Sequence, residues 1–212
     1  MPDTPAPLPT RRLLLAAALA PTRALAAGRP VVTVLGDSIT AGFGLPAAAA
    51  LPARLQAELA RLGVAALVRG AGVSGDTTGG GLARVDFSVL GDTDLCVVAL
   101  GANDLLQGLE PATTRANLSR IVARLKARRI GVLVAGISAP PAVGRAYARE
   151  FNAVFPAVAK AYGAALYPDL LAGVEGDPRL RQPDGLHPNA RGATIIAARL
   201  APAVARALAR RR

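Results

Sequence analysis

Five short runs of nearly unbroken apolar, often β-branched residues recur along this chain, at 31–34, 64–68, 95–100, 130–135 and 164–167. A strand with one wet face alternates apolar and polar residues, so a strand that stays apolar throughout is buried on both faces. Strands buried on both faces belong to parallel sheets, whose crossover connections lay helices over them. The stretches between the runs fit that role, at 47–62, 78–90, 111–128, 143–162 and 188–209. Leu51, Leu55, Leu59 and Leu62 fall on one helical face, and so do Leu118, Ile121, Val122 and Leu125. Five β-α units in alternation predict a three-layer α/β domain with a five-stranded parallel sheet and helices on both faces. No repeat, linker or low-complexity segment divides it.

Composition narrows the chemistry. The single cysteine, Cys96, excludes an internal disulfide, and the single histidine, His187, excludes a histidine-rich zinc site. Any imidazole chemistry must use His187. The formal charge is +11, and the excess is arginine, since Lys126 and Lys160 are the two lysines. A nucleic-acid surface would cluster its cations and interleave aromatics. Here aromatics are 3%, Trp is absent, and the arginines are scattered apart from Arg206, Arg210, Arg211 and Arg212. No nucleic-acid partner is expected. No wholly apolar run reaches the roughly 18–20 residues of a bilayer span, so no integral membrane segment is expected either.

The first 26 residues read as an export signal. Arg11-Arg12 precede an apolar stretch from Leu13 to Ala20; Pro21 ends it, and Ala24-Leu25-Ala26 offers a small-x-small cleavage site. Thr10-Arg11-Arg12-Leu13-Leu14 resembles a twin-arginine signal; a general secretory signal is the alternative. The expected mature domain is 27–212, with a periplasmic or secreted location. Removal of 1–26 would lower the charge to +9, because Arg11, Arg12, Arg23 and Asp3 leave with it.

In parallel α/β sheets, ligands bind beyond the carboxyl ends of the strands. Ser38 stands just after the first apolar run, where it is either an exposed nucleophile or a helix N-cap. Asp184 and His187 are three residues apart on a loop ahead of the last helix. That spacing lets a carboxylate orient an imidazole, and a plain turn with a surface histidine would look the same. Asn103 follows the third run and is either an oxyanion donor or a turn residue. Gly70-Ala71-Gly72-Val73-Ser74-Gly75 matches a dinucleotide fingerprint in letters. No helix follows at once and no acid ends the next run, so a nucleotide cofactor is not expected. Gly72 and Gly75 instead are expected to let backbone N–H groups approach a ligand.

Four blocks stand in a telling order: Gly36-Asp37-Ser38-Ile39, Gly72-Val73-Ser74-Gly75-Asp76-Thr77-Thr78, Gly101-Ala102-Asn103-Asp104 and Asp184-Gly185-Leu186-His187-Pro188-Asn189. The set resembles the SGNH (GDSL) hydrolase family, in its bacterial thioesterase I, arylesterase and lysophospholipase L1 branch, over essentially all of 30–205. The resemblance implies a flavodoxin-like sheet and a serine esterase or thioesterase with no cofactor and no metal. Ser38 matches the nucleophile, Asp184 the orienting acid and His187 the general base. The Ser38 and Gly75 N–H groups and the Asn103 side chain match the oxyanion hole. Asp37 matches a structural position. Ala139-Pro140-Pro141-Ala142-Val143 and Leu105-Leu106-Gln107 depart from the branch's more polar loops, which leaves the chemistry alone and bears on substrate choice.

The loops after the strands carry Phe43, Leu45, Leu105, Leu106, Pro140, Pro141 and Val143. Apolar residues around a polar centre predict a pocket for short- to medium-chain acyl groups in a small-molecule ester or thioester. A carbohydrate O-acetyl esterase of the same family and a non-catalytic anion-binding module are the alternatives. A monomer is expected.

Overall fold

A computed structural model of the chain describes residues 28–210, so the export signal expected at 1–26 lies outside the described residues. Five strands, β1 (Val31–Gly36), β2 (Leu67–Gly72), β3 (Leu95–Ala99), β4 (Gly131–Ala135) and β5 (Ala165–Tyr167), pair in parallel in the order β2-β1-β3-β4-β5. The helices are α1 (Ser38–Ala41), α2 (Leu51–Arg61), α3 (Thr78–Ser88), α4 (Ala102–Leu106), α5 (Pro111–Ala127), α6 (Arg145–Tyr162) and α7 (Ala190–Ala209).

Strand order dictates which face each helix covers. The step from β1 to β2 runs in one direction across the sheet, and every later step runs in the other. Right-handed crossovers therefore place α2 on one face and α3, α5 and α6 on the opposite one. The packing agrees: α2 lies against α7, while α3 packs on α5 and α5 on α6. The sheet between them is dry, with Val32, Val34, Leu35, Val97, Val98, Leu133 and Val134 all at 0% exposure. Each such side chain contributes about 1.5–3 kcal/mol by leaving water. Cys96 is buried in the same layer, where desolvation pushes its thiol up to about 12 and makes it unreactive.

The α7 helix is long and apolar enough to cross a membrane by length and composition. Its apolar side is already used: Ile196, Leu200 and Val204 are at 0% exposure, packed toward α2 and the sheet.

The second strand sits three residues later than its apolar run predicts. Val64 and Ala66 lead into it, and the paired stretch is Leu67 to Gly72. β2 is an edge strand with half-buried residues, so hydrophobicity does not mark it; pairing with β1 does. Gly70 to Gly72 thus lie inside a strand, and the next helix waits until Thr78. That geometry disagrees with the nucleotide fingerprint.

Candidate active site

The chain leaves β1 and β3 in opposite directions across the sheet, which opens a crevice beyond their carboxyl ends. Ser38 stands there because β1 ends at Gly36 and α1 begins at Ser38 itself. Asp37 takes the N-cap: its Oδ1 accepts from the Ile39 N–H at 3.0 Å. Ser38 is therefore not the cap, and its hydroxyl is left for another partner. That partner is His187, whose Nε2 lies 2.9 Å from the Ser38 Oγ. On the other side of the ring, Nδ1 lies 2.7 Å from Asp184 Oδ2. Asp184 Oδ1 accepts from the N–H groups of Leu186 at 2.9 Å and His187 at 3.0 Å. The imidazole bond, then these backbone bonds, hold the Asp184 carboxyl down at about 2. Ionised, it can only accept, so Nδ1 carries the ring proton and Nε2 turns a lone pair to the serine.

The loop bearing this pair is tied in several ways. Gln182 N–H donates to the His187 carbonyl at 2.8 Å, and Gly185 N–H returns to the Gln182 carbonyl at 3.0 Å. The Gln182 side chain donates to the Phe43 carbonyl at 2.7 Å and to the Pro188 carbonyl at 3.0 Å. It thus bridges the turn after Ser38 to the loop that bears His187. Asn189 caps α7 through bonds from the Arg191 and Gly192 N–H groups. The last helix so begins one residue after Asn189 rather than at Pro188.

A pocket of about 230 Å³ opens over Ser38 and His187, with Ser74, Gly75 and Asn103 on one wall. Ser38 opens a helix, so its N–H lies where no helix carbonyl can reach it. Gly75 adopts φ +84°, a left-handed conformation that any side chain would strain, although the space around it is open. The Asn103 Nδ2 donates to the Asp76 carbonyl at 2.8 Å, and an amide has a second N–H to offer. A larger groove of about 370 Å³ at the amino ends of the strands has no serine, histidine or carboxylate in its lining, so it cannot host this chemistry. Among the described residues, no group of three or more His, Cys, Asp and Glu is placed to share a metal ion.

A serine, an imidazole and a carboxylate in one line, with Ser38 near the start of the domain and Asp184 and His187 near its end, agree with what residues 34–195 match: the GDSL-like Lipase/Acylhydrolase family. The chain belongs to this family. It is an ester hydrolase. Esterase TesA of Pseudomonas aeruginosa is 39% identical over 163 residues, which are 76% of this chain and 81% of that protein. Thioesterase 1/protease 1/lysophospholipase L1 of Escherichia coli K12 is 35% identical over 173 residues, covering 81% of this chain and 82% of that one. The crystal structure of AlinE4, an SGNH-hydrolase family esterase, is 43% identical with a TM-score of 0.72, over 85% of this chain and 97% of that structure.

Not every apolar loop residue expected around the site reaches it. Phe43 and Leu106 line the pocket, and Phe43 also lies against the His187 ring, centroids 4.6 Å apart. Leu45 lines a small crevice beside it, with Ser38 and His187. Leu105, Pro140, Pro141 and Val143 do not line the pocket. Leu105 turns inward onto the core, because successive residues of α4 face different sides. Pro140 to Val143 lie further out, with Val143 47% exposed on a single helical turn. Their places are taken by Leu171 and Leu186, which no helical or strand pattern marks.

Gly72 is also placed differently from expectation. A Cβ there would meet the Ala41 nitrogen at 2.3 Å and the Asp37 carbonyl at 2.8 Å. Its smallness seats α1 against β2 rather than bringing backbone to a ligand. Asp104, next to Asn103, is fully buried and accepts from Thr78 N–H at 2.8 Å, Thr78 Oγ1 at 2.5 Å and Thr114 Oγ1 at 3.1 Å. It pins α4 to α3 and α5.

Proposed function

We propose that Ser38 is the nucleophile of this hydrolase, His187 its general base and Asp184 the group that orients and supports the imidazole. One observation carries the reading: the unbroken line from Asp184 through His187 to Ser38, at 2.7 and 2.9 Å. Ser38 Oγ attacks the acyl carbon as His187 Nε2 takes its proton. The developing oxyanion is met by the Ser38 and Gly75 N–H groups and the free N–H of Asn103. His187 then gives its proton to the leaving alcohol or thiol, and an acyl-Ser38 remains. Water, deprotonated by the same imidazole, cleaves it.

The substrate is a short- to medium-chain acyl ester or thioester. Ile39, Phe43, Leu106, Leu171 and Leu186 give the pocket an apolar wall suited to an acyl chain. Each methylene that leaves water is worth up to about 0.8 kcal/mol, or roughly fourfold in binding. With p-nitrophenyl esters, kcat/KM rises from acetyl toward butyryl and octanoyl, then levels. A preference for acetyl over every longer chain would overturn the acyl-pocket reading in favour of a carbohydrate O-acetyl esterase.

Residues 1–26 direct export to the periplasm or medium, by the order of their charged, apolar and small residues. N-terminal sequencing of envelope-derived protein would then begin at Ala27, and an intact Met1 would refute it.

A further inference from the structure

We propose that Arg84 is the positioning residue that assembles the oxyanion hole. The inference rests on the reading of Ser38, Gly75 and Asn103 as oxyanion donors.

Arg84 is on the second turn of α3 and only 8% exposed. A buried guanidinium is costly unless its donors are met. Here all three nitrogens are engaged. Nε donates to Asp76 Oδ2 at 2.5 Å. One terminal nitrogen donates to the Ala71 carbonyl at 2.9 Å and the Ser88 hydroxyl at 3.2 Å; the other donates to the Gly36 carbonyl at 2.8 Å.

These partners are the backbone on which the donors hang. Gly36 ends β1, two residues before Ser38. Asp76 directly follows Gly75, and its own carbonyl accepts the Asn103 side chain. Each donor therefore stands within two residues, or one residue and one hydrogen bond, of a single guanidinium. The β1–β2 ladder ends at Gly36 and Gly72, and one further bond, from the Val73 N–H to the Gly36 carbonyl at 3.1 Å, carries it to Val73, so the residues from Ser74 on lie past the order of the sheet. Arg84 extends that order into the loops.

The local sequence makes room for this arrangement. A Cβ on Gly80 would meet Asp76 Oδ1 at 2.4 Å, and one on Gly81 would meet Leu100 Cδ1 at 2.2 Å. The glycines that make 79–81 a poor helix start thus let α3 come close enough for Arg84 to reach. A fork that serves one carboxylate and two carbonyls from different strands needs the planar geometry of Arg; the single ammonium of Lys cannot reproduce it. Arg84 does not line the pocket, so it acts through the donors.

An oxyanion hole acts mainly in the transition state, so disturbing it lowers kcat and spares KM. The test compares Arg84→Lys, Asn103→Ala and the unaltered protein on p-nitrophenyl butyrate, well below each Tm. Binding of a trifluoromethyl ketone, which becomes tetrahedral on Ser38, is measured in parallel. Arg84→Lys lowers kcat about 10²-fold, leaves KM within about threefold, and weakens the ketone by the same factor as kcat. Asp76→Asn keeps the Asp76 carbonyl and removes only the ionic contact; it lowers kcat about tenfold at unchanged KM, and it decides the matter should the lysine variant not fold. Normal kcat in a folded Arg84 or Asp76 variant, or a loss confined to KM, overturns the proposal. If Asn103→Ala loses kcat and the Arg84 and Asp76 variants do not, Arg84 alone is misassigned. If Asn103→Ala is also normal, the oxyanion-hole reading itself falls.

Discussion

The two halves of the site are held in place by different means. Ser38, Gly75 and Asn103 stand on short connections directly beyond β1, β2 and β3, around the buried side chains of Asp37, Arg84 and Asp104. Asp184 and His187 stand on a loop that follows the short edge strand β5 by more than 15 residues. The Asp184 side chain is 37% exposed, and the loop is fixed by turn bonds and by Gln182. The first half takes its precision from burial and the second from local hydrogen bonds. Groups that stabilise developing charge are most useful when rigid, whereas the base must carry a proton between two partners within one cycle.

The largest effect expected lies where the halves meet. Ser38→Ala and His187→Ala each lower kcat by about 10³-fold or more with Tm little changed, because their contact is chemical rather than structural. Asp184→Ala costs less, since backbone and Gln182 bonds still hold the loop. Rates and melting curves on the three variants check this, and Asp184→Ala as the worst of them would invert the roles.

Gln182→Ala isolates the tether. It removes two hydrogen bonds, one to the Phe43 carbonyl that joins the halves and one to the Pro188 carbonyl within the loop, each worth about 1 kcal/mol. Expected are a roughly tenfold loss in kcat/KM and faster amide hydrogen exchange over 181–188, with exchange in β1 and β3 unchanged. Equal acceleration in the strands would show that the two halves do not loosen separately.

The smallest effect sharpens the cost of the buried half. Burial pushes the Asp37 carboxyl up to about 6, against the Ile39 N–H bond that lowers it. Between its ordinary value near 3.8 and about 6, the unfolded chain has released this proton while the folded chain keeps it. Stability from this group is therefore complete below about pH 4 and declines as pH rises to 6, by at most about 3 kcal/mol. Asp37→Asn lacks this decline, so its stability relative to the unaltered protein improves across that range in urea titrations. Asp184 has the opposite sign: its depressed carboxyl adds stability that is lost as pH falls from about 4 to 2.

Much of this was legible from one dimension. The runs that became β1, β3 and β4 are apolar because both faces of those strands are covered, and that environment is written residue by residue. Ser38, Asp184 and His187 stand out as candidates because the chain has a single histidine and four short motifs in order. The apolar run at 64–68 starts three residues ahead of β2 because Arg69, Gly70, Ala71 and Gly72 carry little hydrophobic signal, and an edge strand needs little.

What the sequence by itself determined is the layered α/β architecture and which side chains are the candidates for the reaction, since both come from local pattern and residue type. Only the tertiary structure decided which polar residues support them and which apolar residues wall the pocket. Arg84 is one of 25 Lys and Arg residues, and nothing near it in sequence marks it as the one that reaches Gly36, 48 positions away. Gln182 meets Phe43 across 139 positions, and Leu171 enters the pocket from the loop after β5. Periodicity records the average environment of a segment. Contacts between loops depend on where the folded sheet delivers their ends, a property of the whole chain.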